Sequence, residues 1–526
     1  MECLVFEGMT PCHAARGDPV DSHPLLTCAH VAAPPGLGHE GPNRVSPAAM
    51  GVGRTALFLV PVALVARGIG FVVPILIAGW FGIQPATDAF FFALSVPSFL
   101  LVLASNAMGT VVVPPLAQLR VNDPARLPGV VTGASLLAAG LTTLAGAFFA
   151  LLVPHALPRF TAFDAETQAL AVRFTWELLP FVAGVGAISV VRAACEGLGA
   201  FRAAGFSPVA RSLAILGVVA VGRDSGPAIL PLALSFGAAS ELLWLWGVLG
   251  REGVSPGLPT WPAQMATAVQ AFGPVLAGET MVALNLVVDK AFAAGLPEGS
   301  VTILEYADRA RVIPQTLLES SLVVVAFQAW ATARAKGDPS AERAAVQQSL
   351  RWVFLLAPPA LAGMVVAREV LVRTLFSHGA FPDWGVDDCA SALAAFVPGI
   401  FASLVGTLLV KAHIVAGRYR LVMGLGVVSF ALNAALNMLF RESLGLPGLA
   451  LSTSVTTVCV TAWSWSRLQI GRPSLDGLVV LGLAALGAVL LVDLEPSSLI
   501  DPSLYLAALP FLVLLAFGAH RARRAT

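Results

Sequence analysis

Apolar residues in this chain neither alternate nor recur every third or fourth position; they run in long blocks. A block of about 20 apolar residues is what a helix needs to cross a bilayer. On that ruler the chain predicts about fourteen spanning helices. They lie over residues 55–81, 86–118, 129–153, 168–198, 206–222, 227–250, 266–294, 300–331, 346–372, 388–415, 421–440, 446–469, 477–493 and 503–520. The second and eighth are too long for one straight crossing. Pro97 with Pro114, and Pro314, supply places to kink.

Charge between the blocks sets an orientation. With the N-terminus in the cytoplasm, the inner loops collect about fourteen basic residues, among them Arg120, Arg251, Arg418 and the tail Arg521, Arg523 and Arg524. The outer loops keep about four: Arg159, Arg223, Arg373 and Arg441. An odd number of crossings would scramble this bias, so the pattern predicts an inner-membrane, multi-pass protein with both termini cytoplasmic. A faint repeat links 197–216 with 414–433, each a small-residue helix end, a basic turn and a new helix. The expected organisation is an N-lobe over 50–253, a C-lobe over 254–474, and two further helices with a basic tail over 475–526. Parallel repeats of this kind are one transporter design, with the substrate at the lobe interface.

Composition agrees with the blocks. The chain is 57% hydrophobic and 12% charged, and its mean hydropathy of +0.82 excludes a soluble globular domain of this size. The fold class is an all-α polytopic membrane protein. Formal net charge is zero, so nothing points to nucleic acid. Residues 1–49 stand apart: they are Pro/Gly-rich, hold His13, His23, His30 and His39, and lack a signal-peptide core. They read as a disordered extension or a misassigned start, with Met50 near the true beginning. Of six cysteines, Cys195, Cys389 and Cys459 lie in or beside apolar blocks and read as core. No CxxC pair occurs, so neither a disulfide framework nor a metal site is expected, and no cofactor is read.

The candidate chemistry is charge inside the spans. Arg67 and Asp88 open the first half, and Glu279, Asp289, Lys290, Glu305, Asp308 and Arg309 open the second. A charge at a helix centre costs roughly 2.5–3.5 kcal/mol on insertion scales, so such groups face a partner or a polar cavity. Arg67 reads as an anion-binding group, as a pair with Asp88, or as a snorkelling side chain. Thr87 and Asp88 read as a helix N-terminal cap. Ser105 and Asn106 offer polar lining. Asp289 and Lys290 are adjacent, point about 100° apart on a helix, and so need separate partners. Glu305 and Arg309 are spaced for a local pair, and Asp308 and Arg311 extend that stripe. Arg173, Glu177, Arg192, Glu196 and Glu241 are expected to pair between helices, and Lys411 and His413 to snorkel to an interface. No Walker A loop, G-x-S-x-G or HExxH occurs, so no enzyme is read.

Four stretches carry a resemblance: "FGIQPATDAFFFALSVPSFL" (81–100), "VTILEYADRARVIPQTLLESSL" (301–322), "LFSHGAF" (375–381) and "GLPGLALSTSV" (445–455). In that order, from about residue 50 to the C-terminus, the chain resembles the MurJ/MviN lipid II flippases of the multidrug/oligosaccharidyl-lipid/polysaccharide exporter superfamily. The resemblance implies two six-helix lobes, a polyprenyl groove lined by the last two helices, and a cationic cavity for a pyrophosphate-sugar head group. It places Arg67, Asp88 and Arg309 at the family's first-helix arginine, "TDAF" acid and "YADR" arginine. Typical members carry further charges where this chain has Val72, Val73, Pro74, Ser95, Leu101 to Met108, Val312 and Ile313. The implied cavity is therefore less cationic.

The expectation is a flippase that is not an enzyme. It would move a lipid II-like, polyprenyl-pyrophosphate-linked cell-wall precursor by alternating access. Arg67, Asp88, Arg309, Asn106, Asp289 and Lys290 are the substrate-binding candidates. Its partners would be the lipid-linked glycan, the membrane and a coupling ion, H+ or Na+, and the chain is expected to be a monomer. Alternatives are an exopolysaccharide or O-antigen lipid flippase, or a drug or ion antiporter of the same superfamily.

Overall fold

The computed structural model describes residues 68–111, 113–260, 263–316, 339–416 and 418–468. Regular structure among them is helical throughout. The first half comprises α1 (Gly68–Phe81), α2 (Pro85–Val111), α3 (Val113–Asn122), α4 (Leu127–Phe160), α5 (Ala165–Glu177), α6 (Leu179–Gly197), α7 (Phe201–Gly205), α8 (Ser207–Gly222) and α9 (Leu230–Arg251). The second comprises α10 (Ala263–Ala293), α11 (300–316), α12 (Pro339–Val366), α13 (Arg368–Phe376), α14 (Trp384–Val415) and α15 (Tyr419–Arg467). The expected blocks from 55–81 to 446–469 each meet one or more of these helices. The blocks at 477–493 and 503–520, the 1–49 segment and Arg67 lie outside the described residues.

Seven described segments are long and apolar enough to cross a membrane. Two of them, Ala203–Arg251 and Tyr419–Arg467, run for 49 residues. That is about 74 Å at 1.5 Å per residue, more than twice a bilayer's hydrocarbon core. Each is therefore two crossings, broken where the chain takes a positive φ: Gly226 (φ 66) followed by Pro227, and Gly445 (φ 60) with Pro447 two residues on. Only glycine adopts that conformation without strain, and the proline then starts the new helix.

Packing falls into two groups. In the first, α2, α4, α5, α6, α8 and α9 contact one another; in the second, α10, α12, α14 and α15 do. The α2–α10 contact joins them. The outer face of α4 exposes Leu136, Leu141, Leu144, Phe148 and Leu151, a lipid-facing stripe that needs no protein cover. Phe90, Phe91 and Phe92 are buried core. At the α4–α5 turn, Asp164 accepts from the Thr167 amide at 3.0 Å, capping α5. Those hydrogen bonds hold its carboxyl below the usual aspartate range.

Two sequence expectations change here. Cys195 and Cys389 are buried, but Cys459 is exposed on α15, because an apolar span can present a cysteine to lipid as readily as to a core. His413 does not reach an interface: it is fully buried, with Nε2 3.1 Å from the Ser464 carbonyl. The α14–α15 contact covers it.

Candidate functional site

The α1–α2 turn begins the site. Thr87 caps its own helix: its Oγ1 accepts from the Gln84 amide at 3.0 Å and donates to the Gln84 carbonyl at 2.8 Å. Asp88, one residue on, points elsewhere. Its Oδ2 accepts from the Gly299 amide at 2.6 Å, and its Oδ1 accepts from the Thr302 amide at 2.8 Å and from Thr302 Oγ1 at 2.6 Å. It therefore caps α11, in the other half of the chain, rather than α2. A carboxylate on a helix N-terminus satisfies orphan amides and opposes the dipole. Asp88 is 1% exposed in this conformation.

The same end is closed by two further contacts. Tyr306 of α11 meets Phe91 edge-on at 5.6 Å between ring centroids and stacks on Phe376 at 5.1 Å. Beside this plug the 377–381 loop lies directly on the end of α1, where the Ala380 amide donates to the Gly79 carbonyl at 2.7 Å. Gly82 (φ 62) and Gly379 (φ 64) make that approach possible, since a Cβ on either would sit 2.2 Å from a backbone oxygen of the other segment. Helix α11 is thus pinned to α2, and α1 to the α13–α14 loop.

Next to the latch lies a charged triad. Lys290 Nζ is 2.9 Å from Glu305 Oε2 and donates to the Val301 carbonyl at 3.3 Å. Glu305 Oε1 takes Arg309 at 2.6 Å through Nη2 and 2.7 Å through Nε. The local Glu305–Arg309 pair thus forms as its spacing predicts, and the triad carries two positive charges on one carboxylate. The Arg309 side chain remains 40% exposed, against 10% for Lys290. On another face of α11, Arg311 pairs with Asp308 at 2.6 Å and lies 4.8 Å over the Phe396 ring.

Asp289, though next to Lys290, has different partners. Its Oδ1 accepts from Asn433 Nδ2 and Asn437 Nδ2, each at 2.7 Å, and its Oδ2 from Thr453 Oγ1 at 3.3 Å. Asn437 Oδ1 accepts in turn from Ser452. Asp289 thus sits in a neutral cradle of hydrogen-bond donors built by α15. Thr302, Asn433, Asn437 and Thr453 were not singled out from sequence. The signal was present: asparagines at i and i+4 inside an apolar span are costly unless they serve a polar partner. Asn285 donates to Ser429 at 3.3 Å. Asn106 lies further along α2, and its side chain is outside the described residues.

A separate cluster holds the first half together. Glu241, fully buried on α9, pairs with Arg192 of α6 and with Arg211 of α8 at 3.1 Å, and accepts from Ser207 at 2.9 Å. Arg173 and Glu177 pair within one helix instead of between helices, at 2.7 Å. Among the described residues no group of three His, Cys, Asp or Glu side chains is set to hold a metal.

The family described as "Lipid II flippase MurJ" matches residues 77–492. The chain belongs to the MurJ family. It is 24% identical to the probable lipid II flippase MurJ of Vibrio cholerae over 441 residues, covering 79% of this chain and 83% of that protein. It is 26% identical to the lipid II flippase MurJ of Burkholderia cenocepacia over 427 residues, covering 77% and 81%. Its fold matches a solved structure of lipid II flippase MurJ in an inward closed conformation, with TM-score 0.70 and 18% identity over 89% of this chain and 99% of that one. It also matches an inward-facing multidrug resistance MATE family transporter, with TM-score 0.66 and 12% identity over 83% and 99%. This MurJ-family chain is accordingly an all-α, multi-pass membrane protein, as its apolar blocks predict.

Proposed function

We propose that this MurJ-family chain is a flippase that carries a polyprenyl-pyrophosphate-linked cell-wall precursor, lipid II or a close relative, across the cytoplasmic membrane by alternating access. The observation that carries the head-group reading is the triad. Two buried or half-buried cations share one carboxylate, and the more exposed of them is a guanidinium, whose planar fork suits phosphate oxygens. Arg309 is the head-group ligand of this reading among the described residues, and Arg67 and Asn106, whose side chains lie outside them, are its candidates from the first half. The protein acts as a transporter, not as an enzyme, and works as a monomer.

The loop-charge bias supports placing the Asp88 latch at the outer end, with both termini in the cytoplasm. The conformation described is then closed outward, and the lobes 50–253 and 254–474 rock about the latch. The Asp289 cradle supports coupling to a small hard cation or a proton. Its partners are neutral hydrogen-bond donors and bring no counter-charge, so a bound proton or cation would complete the carboxylate's charge. A unit charge moved across the membrane gains about 2.3 kcal/mol per 100 mV, which suffices to bias such a cycle.

Complementation of a conditional flippase-depleted strain tests this function. Wild type is expected to restore growth, and Arg309→Ala to lower rescue by at least about tenfold, in keeping with loss of a charge-assisted phosphate contact. Failure of a correctly inserted wild type, with rescue instead of an exopolysaccharide flippase mutant, would move the substrate to that class of lipid-linked glycan.

A further inference from the structure

Lys290 does not reach open space. Its ammonium is enclosed by Glu305 and the Val301 carbonyl, and its side chain is 10% exposed. Arg309 is the exposed member of the triad. A phosphate arriving at Arg309 must therefore compete with Glu305, which already holds both Nε and Nη2 of the guanidinium. How hard Glu305 holds depends on what else neutralises it. Its other oxygen is taken by Lys290 at 2.9 Å.

Resting on the head-group reading above, we infer that Lys290 is a positioning residue that keeps Arg309 available to phosphate by sharing the Glu305 carboxylate. Without the lysine, Glu305 has a single counter-charge and clamps it. With the lysine, the carboxylate can release Arg309 to the substrate and remain paired. The geometry ties this exchange to the outer latch. Lys290 holds the Val301 carbonyl, between the Gly299 and Thr302 amides that Asp88 holds. Lys290 and Asp88 therefore grip the same first turn of α11 from opposite polarities. Release of Arg309 from Glu305 shifts load onto the lysine at that turn, which links head-group capture to the element that must move for the outer end to open. Adjacent Asp289 ties the same stretch of α10 to its cradle on α15.

The test is a binding cycle on the purified full-length protein in nanodiscs, with lipid II as the probe. Lys290→Met is expected to weaken binding about tenfold, and Glu305→Gln to tighten it, because the clamp is gone. The double variant Lys290→Met with Glu305→Gln is expected to return to within about threefold of wild type. Lys290→Arg is expected to bind as wild type does. A merely structural lysine would show no rescue by Glu305→Gln, so a double variant as weak as Lys290→Met overturns the inference. If Lys290→Met does not fold, Glu305→Gln decides alone: tighter binding supports the clamp, and unchanged binding refutes it. Arg309→Ala separates the two levels. Normal binding by that variant removes the head-group reading itself, whereas weak binding by it together with normal binding by Lys290→Met removes only the role of the lysine.

Discussion

Replacing Asp88 with alanine is expected to abolish transport and to open the outer end of the molecule. The carboxylate takes three donors from the turn that starts α11. Each hydrogen bond to a charged group contributes about 1.5–3 kcal/mol, and the amides it leaves are buried ones. All of that stabilisation belongs to the closed state, because the partners lie on opposite halves of the chain. A loss of about 5.5 kcal/mol would carry a two-state equilibrium from 99:1 to 1:99. Asp88→Asn keeps an acceptor but loses the charge, so an intermediate effect is expected. The check is labelling of a cysteine introduced as Ile83→Cys, which the closed seam packs against Gly299 and Gly385. In an otherwise cysteine-free background, a membrane-impermeant maleimide should label this site faster in Asp88→Ala than in its parent. Lost transport with unchanged labelling would show that Asp88 acts on something other than this gate.

Glu241→Ala is expected to cause the largest loss of stability. The carboxylate is 0% exposed and is the shared counter-ion of Arg192 and Arg211 on two neighbouring helices. Removing one partner of a buried ion pair costs about 3–5 kcal/mol, because the remaining charge is left uncompensated. Here two guanidinium groups would be left among α6, α8 and α9. Thermal unfolding in detergent, followed by size-exclusion chromatography, should show a clear fall in midpoint and in yield. Replacing Arg192, Arg211 and Glu241 together with methionine should recover most of that loss, since a well-packed apolar substitute avoids the desolvation cost. A single variant as stable as wild type would mean the cluster adds nothing to the packing of the first half.

Much of the architecture was legible because membrane spans are specified by block length. A run such as 388–415 or 446–469 has few alternatives to a helix once about 20 apolar residues must cross hydrocarbon. The Glu305–Arg309 pairing within one helix was legible for the same local reason, its i,i+4 spacing; Arg173 and Glu177 share that spacing, but their pair was expected between helices. Pairings that depend on which helices touch were not legible. That Asp88 caps α11 instead of α2 requires the α10–α11 turn to sit over α2, which no local pattern encodes. The Lys290–Glu305 pair depends on the hairpin of α10 and α11, and the burial of His413 on the packing of α14 against α15. Asn433 and Asn437 were readable in principle, as polar residues one turn apart in an apolar span. Their service to Asp289, 144 and 148 positions away in sequence, was not.

Reconstitution tests the proposed transport most directly. Purified protein in proteoliposomes, loaded with fluorescent lipid II in both leaflets, would be assayed by quenching or enzymatic capture from one side. The account predicts that wild type brings inner-leaflet lipid II into reach when a membrane potential or a cation gradient is imposed, and that Arg309→Ala and Asp88→Ala do not. Correctly folded, correctly inserted wild type that leaves the inner-leaflet pool untouched under every gradient would contradict it.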